Sequence, residues 1–195
     1  MQGATDPSPS LRTVLDTYEP ATGNEARDLS RLRDLLAGGD PWTRSSPLHV
    51  TGSAIILHPS SNRVLLRWHD RMNRWLQVGG HADSGETSPY AIALREAREE
   101  TGLTDLTAWP DPQSPLVVQI VIVPVPAGRG EASHEHADIR YLLATEQPGL
   151  ATPESDSAPV QWLRLTDAIS ATAEDNLRDC LERIAQVRSR HLQSN

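Results

Sequence analysis

The pattern of apolar and polar positions divides the chain into short strands bracketed by helical stretches. From about Asn24 to Gly38, apolar residues recur at Ala26, Leu29, Leu32 and Leu35/Leu36, the spacing of an amphipathic helix that Gly38-Gly39 and Pro41 terminate. Residues 1–10 are rich in Pro and Ser and read as mobile. The run VTGSAIIL, residues 50–57, predicts a strand. The turn HPSSN, a strand over 63–68, the polar turn HDRMN and a short strand WLQV leading into Gly79-Gly80 follow it. Further strands are expected over 116–125, near 137–145 and in VQWLRL, and a last helix over about 173–190 places Leu177, Leu181, Ile184 and Val187 in one core-facing stripe.

One helix carries an unusual charge pattern. Ser88 is a natural N-cap with Pro89 at the first helical position, and Gly102 suits a left-handed terminator, so the helix runs over 89–101. At 100° per residue, Glu96, Glu99 and Glu100 share an arc of roughly 100°, with Tyr90, Leu94 and Ala97 opposite. Like charges three or four residues apart repel. Three converging carboxylates are tolerable around a cation, and oxygen-only ligands suit a hard ion such as Mg²⁺ or Mn²⁺. Taken alone, the run also fits a solvated helix face in which Arg95 and Glu99 form an i, i+4 pair.

Composition narrows the function classes. A length of 195 residues fits one catalytic domain with extensions, and a net charge of −8 argues against general nucleic-acid binding. The single cysteine, Cys180, excludes an internal disulfide or a cysteine-based metal site; it reads as a small buried apolar residue, which suits a reducing cytoplasm. The N-terminus lacks a cationic region followed by an apolar run, and no window approaches the roughly 18 apolar residues of a membrane span, so the expectation is a cytoplasmic protein with no membrane partner. All 18 basic residues are arginine, which removes lysine as a Schiff base or phosphate ligand.

Gly80, Glu86 and the block Arg95-Glu96-Ala97-Arg98-Glu99-Glu100-Thr101-Gly102-Leu103 together resemble the Nudix box, the signature of hydrolases that cleave a nucleoside diphosphate linked to another moiety. Eight residues separate Glu86 from Arg95 where seven are usual, an extra residue placed at the junction over 87–89. The resemblance extends over roughly residues 48–170. It implies an α/β fold, the α/β/α sandwich with a mixed sheet, here as a domain over 48–195 with a C-terminal helix, preceded by an N-terminal helical extension over 1–47. That extension either covers the substrate cleft or builds a homodimer. The resemblance further implies Glu96, Glu99 and Glu100 as ligands of Mg²⁺ or Mn²⁺ with the Gly80 carbonyl as a further oxygen, and Arg95 with Glu86 as an ion pair tying the helix to the preceding loop. The general base is Glu96 or Glu99, or an acid on a later loop, Glu154 or Asp156.

A second constellation is HEHADIR, residues 134–140. In a strand, His134, His136, Asp138 and Arg140 share one face while Ala137, Ile139 and Tyr141 face the core. The row either lines the substrate pocket, binding phosphate through Arg140 or a further metal, or forms a solvent-facing strand edge. His69 and His81 are similarly suggestive, and GGH after a Trp-Leu strand resembles a bacterial Nudix subgroup. Trp68 and Trp75 invite base stacking, with core packing the simpler reading for Trp75 and Trp162. Arg67, Arg71 and Arg74 either meet phosphates or, the simpler reading for arginines on a hairpin, are exposed solubilising residues. Signatures of ADP-ribose and diadenosine-polyphosphate hydrolases are missing, since Val118 and Ile120 stand at those places, and the catalytic cysteine of a Nudix-fold isomerase is missing from the site. Two functions remain: a metal-dependent pyrophosphohydrolase acting by water attack on a small nucleoside di- or triphosphate derivative, or a nucleotide-binding sensor without turnover.

Overall fold

The computed structural model describes residues 9–128 and 130–194; the first eight residues of the Pro/Ser-rich segment lie outside this range. Two helices come first. The segment α1 (Leu11–Thr17) is capped by the Ser10 hydroxyl, and α2 (Gly23–Gly38) by that of Thr22. The first of these has too few turns for a periodic signal and was not expected from the sequence pattern.

Strand β1 (Leu48–His58) organises the sheet because nearly all of it is buried on both faces. Its C-terminal half pairs antiparallel with β2 (Arg63–His69), which in turn pairs with β3 (Arg74–Leu76). Its N-terminal half pairs antiparallel with β4 (Val78–His81). The WLQV segment is therefore two strands rather than one, broken at Gln77, whose side-chain amide turns inward to donate to Asp138 at 3.1 Å. After the box helix α3 (Pro89–Thr101) come β5 (Thr107–Ala108), β6 (Val117–Val125) and β7 (His134–Ala144). The last strand, β8 (Val160–Arg164), pairs with β2, and the chain ends in α4 (Leu165–Ala171) and α5 (Asp175–Ser194). The expected terminal helix is thus preceded by a short separate one. Strands β1 and β7 run parallel over their length while the other pairings are antiparallel, so the eight-stranded sheet is mixed.

Alternation along β1 separates two cores. Ala54 and Ile56 face one cluster, shared with Leu11, Val14, Leu15, Leu29 and Leu32 from the N-terminal helices and Ala93 and Ala97 of α3. Ile55 and Leu57 face the other, with Leu165 and Ala168 of α4 and Leu177, Cys180, Leu181 and Ile184 of α5. Helices therefore cover both faces, an α/β/α sandwich. The close seat of α3 on β1 requires Gly52, where a Cβ would lie 2.5 Å from the Pro89 carbonyl oxygen. None of the helices among the described residues is long and apolar enough to cross a membrane.

Candidate active site

Helix α3 begins where the Ser88 hydroxyl accepts from the Ala91 N–H and ends at Gly102, whose φ of 67° only glycine adopts without strain. Its inner face is Ile92, Ala93 and Ala97, with Tyr90 and Leu94 only partly buried. This rotation corrects the expected division of faces. The three glutamates do not share one solvated surface: their side chains are 10% exposed at Glu100, 17% at Glu96 and 55% at Glu99. Glu100 turns into the protein and accepts from the Gly79 N–H at 2.9 Å.

Two guanidinium groups share the surrounding carboxylates. Arg95 donates to Glu86 (3.0 Å), Glu96 (3.0 Å), Glu99 (2.9 Å) and the His81 carbonyl (2.8 Å), and lies 3.7 Å from Asp83. Glu86 also accepts from the Asp83 N–H at 2.8 Å, so the loop before α3 is held from both ends despite its extra residue. Arg67, on β2, lies 3.2 Å from Glu100 with its Nε misaligned for a hydrogen bond, and donates to Glu154 at 3.1 Å. Six carboxylates thus face two cations. Burial raises the carboxyl pKa of Glu96, with Arg95 opposing, and pushes that of Glu100 up to about 7, opposed by Arg67 and the Gly79 N–H. The Arg95 pKa is raised by its hydrogen bond to Glu86. Gly80 closes the cluster, since a Cβ there would run into the Glu96 carboxylate.

The polar row of β7 lies on the opposite face of the sheet. Because β7 sits between β1 and β6, it is an interior strand, which overturns the solvent-edge reading. His136, Asp138 and Arg140 pair across the parallel ladder with His49, Thr51 and Ser53 of β1, so two polar rows meet. Asp138 accepts from Thr51 (3.0 Å), Ser53 (2.9 Å), Gln77 and the Arg140 Nε (2.9 Å); Arg140 also donates to Gln119 at 2.8 Å. This network forms the floor of a cavity of about 570 Å³ whose walls include Gly79, Gly80, His81, His134 and His136 but none of the α3 glutamates. Strand β4 separates the two regions. On the cavity side, His81 Nε2 lies 3.1 Å from His49 Nε2 and 3.2 Å from His136 Nε2. Burial pushes the pKa of His81 to about 4 and that of His136 to about 3, keeping both neutral.

The structure therefore gathers Glu86, Glu96 and Glu99 on Arg95, with Glu96 against Gly80, and Glu100 and Glu154 on Arg67, while His81, His136, Asp138 and Arg140 line the cavity. Arg67, read from the sequence as an exposed residue of the hairpin, is instead half-buried and lies against Glu100, and sequence reasoning missed His49, Thr51 and Ser53. The alternation of polar residues at 49, 51 and 53 was the available signal. Trp68 and Trp75 stack edge-to-face 5.5 Å apart, with Trp75 against the α5-side core.

A family model described as NUDIX domain matches residues 48–184, and the chain belongs to the Nudix family, as a hydrolase of that family. A probable DHNTP pyrophosphohydrolase of Lactococcus lactis subsp. cremoris is 27% identical over 133 residues, covering 66% of this chain and 75% of that protein. A solved Ap4A hydrolase binary complex from C. elegans superposes with a TM-score of 0.54 at 18% identity, over 70% of this chain and 95% of its own. The E. coli dihydroneopterin triphosphate pyrophosphohydrolase gives 0.51 at 20% identity, over 71% and 94%. At these identities the two structures speak to the fold alone.

Proposed function

We propose that the protein is a metal-dependent pyrophosphohydrolase that cleaves a phosphoanhydride of a small nucleoside di- or triphosphate derivative or a pterin triphosphate. The observation carrying this reading is the charge imbalance around α3: Asp83, Glu86, Glu96 and Glu99 share Arg95, and Glu100 and Glu154 share Arg67. A divalent cation fits that excess, and the all-oxygen donor set suits Mg²⁺ or Mn²⁺. Glu96, Glu99 and Glu100 would hold it, with the Gly80 carbonyl as neighbour, the missing Cβ of Gly80 leaving room for the Glu96 carboxylate. When bound, the ion neutralises the diphosphate and lowers the pKa of water.

The chain's own groups account for the remaining requirements. Arg95 fixes the rotamers of Glu96 and Glu99 and, through Glu86 and the His81 carbonyl, locks α3 to the loop and to β4. Water attacks phosphorus, the P–O bond of the anhydride breaks, and the proton passes to a carboxylate; Glu99 and Glu154 are the two of these acids that are 55% exposed. The cavity across β4 would take the organic moiety, with the phosphates crossing the Gly79-Gly80 lip. Of the extension over 1–47, the described residues 9–47 act in this reading as helices clamped to the catalytic domain over 48–195.

The test is release of phosphate or pyrophosphate, with and without Mg²⁺, from a panel headed by dihydroneopterin triphosphate, Ap4A, nucleoside triphosphates and nucleotide sugars. Metal-dependent release lost in Glu100→Gln supports the hydrolase. Unchanged release in that variant overturns the metal-site assignment.

A further inference from the structure

On the cavity face of the sheet, three histidines from three different strands converge. His49 (β1) and His136 (β7) are direct partners in the parallel ladder, and His81 (β4) is seated beside them through its pairing with Thr51. Their ligand nitrogens all lie within 4.8 Å of one another. The nearest contacts join Nε2 atoms: His81 to His49 at 3.1 Å, His81 to His136 at 3.2 Å, and His136 to His134 at 3.1 Å.

Hydrogen bonding among neutral rings does not account for this chain of contacts. His49 Nδ1 lies 3.0 Å from the Ser46 carbonyl and His134 Nδ1 lies 2.9 Å from the Ala132 carbonyl. A carbonyl only accepts, so both Nδ1 atoms carry the hydrogen and both Nε2 atoms present lone pairs. If His81 and His136 both carry hydrogen on Nε2, they oppose donor to donor. If either does not, its contact with His49 or with His134 sets two lone pairs face to face. Every arrangement of four neutral rings leaves at least one repulsive contact, and a cation among the nitrogens removes it. The two contacts of His81, at 3.1 and 3.2 Å, are close to the spacing of such a site, since ligands at about 2.0–2.1 Å from zinc in a tetrahedron are about 3.3 Å apart. The carbonyls on His49 and His134 are the outer hydrogen-bond partners that ligating histidines ordinarily have.

We propose that His49, His81 and His136 form a nitrogen-lined site for a divalent transition-metal ion of the zinc type, on the opposite face of the sheet from the α3 carboxylates. His134 is the nearest fourth donor, and the cavity gives the ion its route of entry. Imidazole ligands select a borderline metal, whereas the oxygen-only carboxylate cluster selects a hard one, so the two sites differ in the ion they take. The proposal does not depend on the hydrolase reading.

The experiment uses the full chain without a histidine tag, stripped with a chelator and dialysed against Zn²⁺ in the presence of excess Mg²⁺. One tightly held Zn²⁺ per chain is expected by metal analysis. It should persist in Glu99→Gln and weaken on the order of 100-fold in His81→Gln or His136→Gln. Co²⁺ added to the stripped wild-type protein should give the intense visible absorption of a tetrahedral site, a readout that stands even if a histidine variant folds poorly. Absence of Zn²⁺ retention by the wild type, a faint octahedral Co²⁺ spectrum, or retention that follows Glu99 rather than His81 would overturn the site.

Discussion

At the residue scale, the paired glycines of β4 have opposite constraints. Gly79 has a φ of 149° and a built Cβ would lie 2.6 Å from the Ser53 Cα and 2.8 Å from the Gly52 carbonyl oxygen, all rigid backbone of β1. Gly79→Ala should therefore destabilise the protein by about 2–4 kcal/mol, read as a lower urea midpoint. At Gly80 the obstacle is the far end of the Glu96 side chain, which can swing away. Gly80→Ala should leave the urea midpoint nearly unchanged while lowering turnover on the order of 100-fold, because it displaces a carboxylate rather than a strand. A large loss of stability at Gly80, or full activity, would contradict this. Cys180 is wholly buried and its thiol is pushed up to about 11 by burial. A maleimide reagent at neutral pH should leave the native protein unlabelled and label it rapidly once unfolded.

At the scale of elements, a buried tether joins the N-terminal helices to the body. Glu25 of α2 accepts from Arg183 of α5, from the Tyr18 hydroxyl at 3.0 Å and from the Ala21 N–H at 2.8 Å, while Arg183 also donates to the Val118 carbonyl at 3.1 Å. Glu25→Ala would strand the guanidinium and should cost about 3 kcal/mol in denaturant unfolding, against near zero for an exposed acid such as Asp16. Burial, reinforced by Glu25, pushes the Tyr18 pKa to about 12. Between the ordinary value near 10 and that figure the folded state binds more protons than the unfolded one, so this contribution to stability is full below pH 10 and is lost as pH rises toward 12. Tyr18→Phe should flatten that alkaline loss. These elements also mark how far sequence reasoning reaches. Helix α3 was legible from Ser88, Pro89 and Gly102 because caps are local, and the stripe of α5 because it spans several turns. The helices α1 and α4 have seven residues each, too few for periodicity. The inward turn of Glu100 was illegible because its partners, Gly79 and Arg67, come from distant strands, and the histidine trio emerges only once β1 and β7 pair in parallel.

For the whole molecule, placing carboxylates around α3 opposes folding in the absence of a counter-ion, on a chain whose net charge is already −8. Function and stability should therefore separate at Glu99, whose side chain is 55% exposed. Without added metal, Glu99→Gln should keep stability within about 0.5 kcal/mol of wild type or raise it, because repulsion with Glu96 is relieved and the lost pair with Arg95 is solvent-screened. With saturating Mg²⁺, the wild type should gain by mass action, about 2.7 kcal/mol when the ion is at 100 times its dissociation constant, and the variant should gain much less. Turnover should fall on the order of 1,000-fold in the same variant, the size expected when several kcal/mol of charge stabilisation is withdrawn from phosphoryl transfer. Thermal melts of both proteins with and without Mg²⁺, set beside their rates, decide the matter. Equal stabilisation of wild type and variant by Mg²⁺ would place the ion elsewhere, and the excess of carboxylates over guanidinium groups around α3 would then need another explanation.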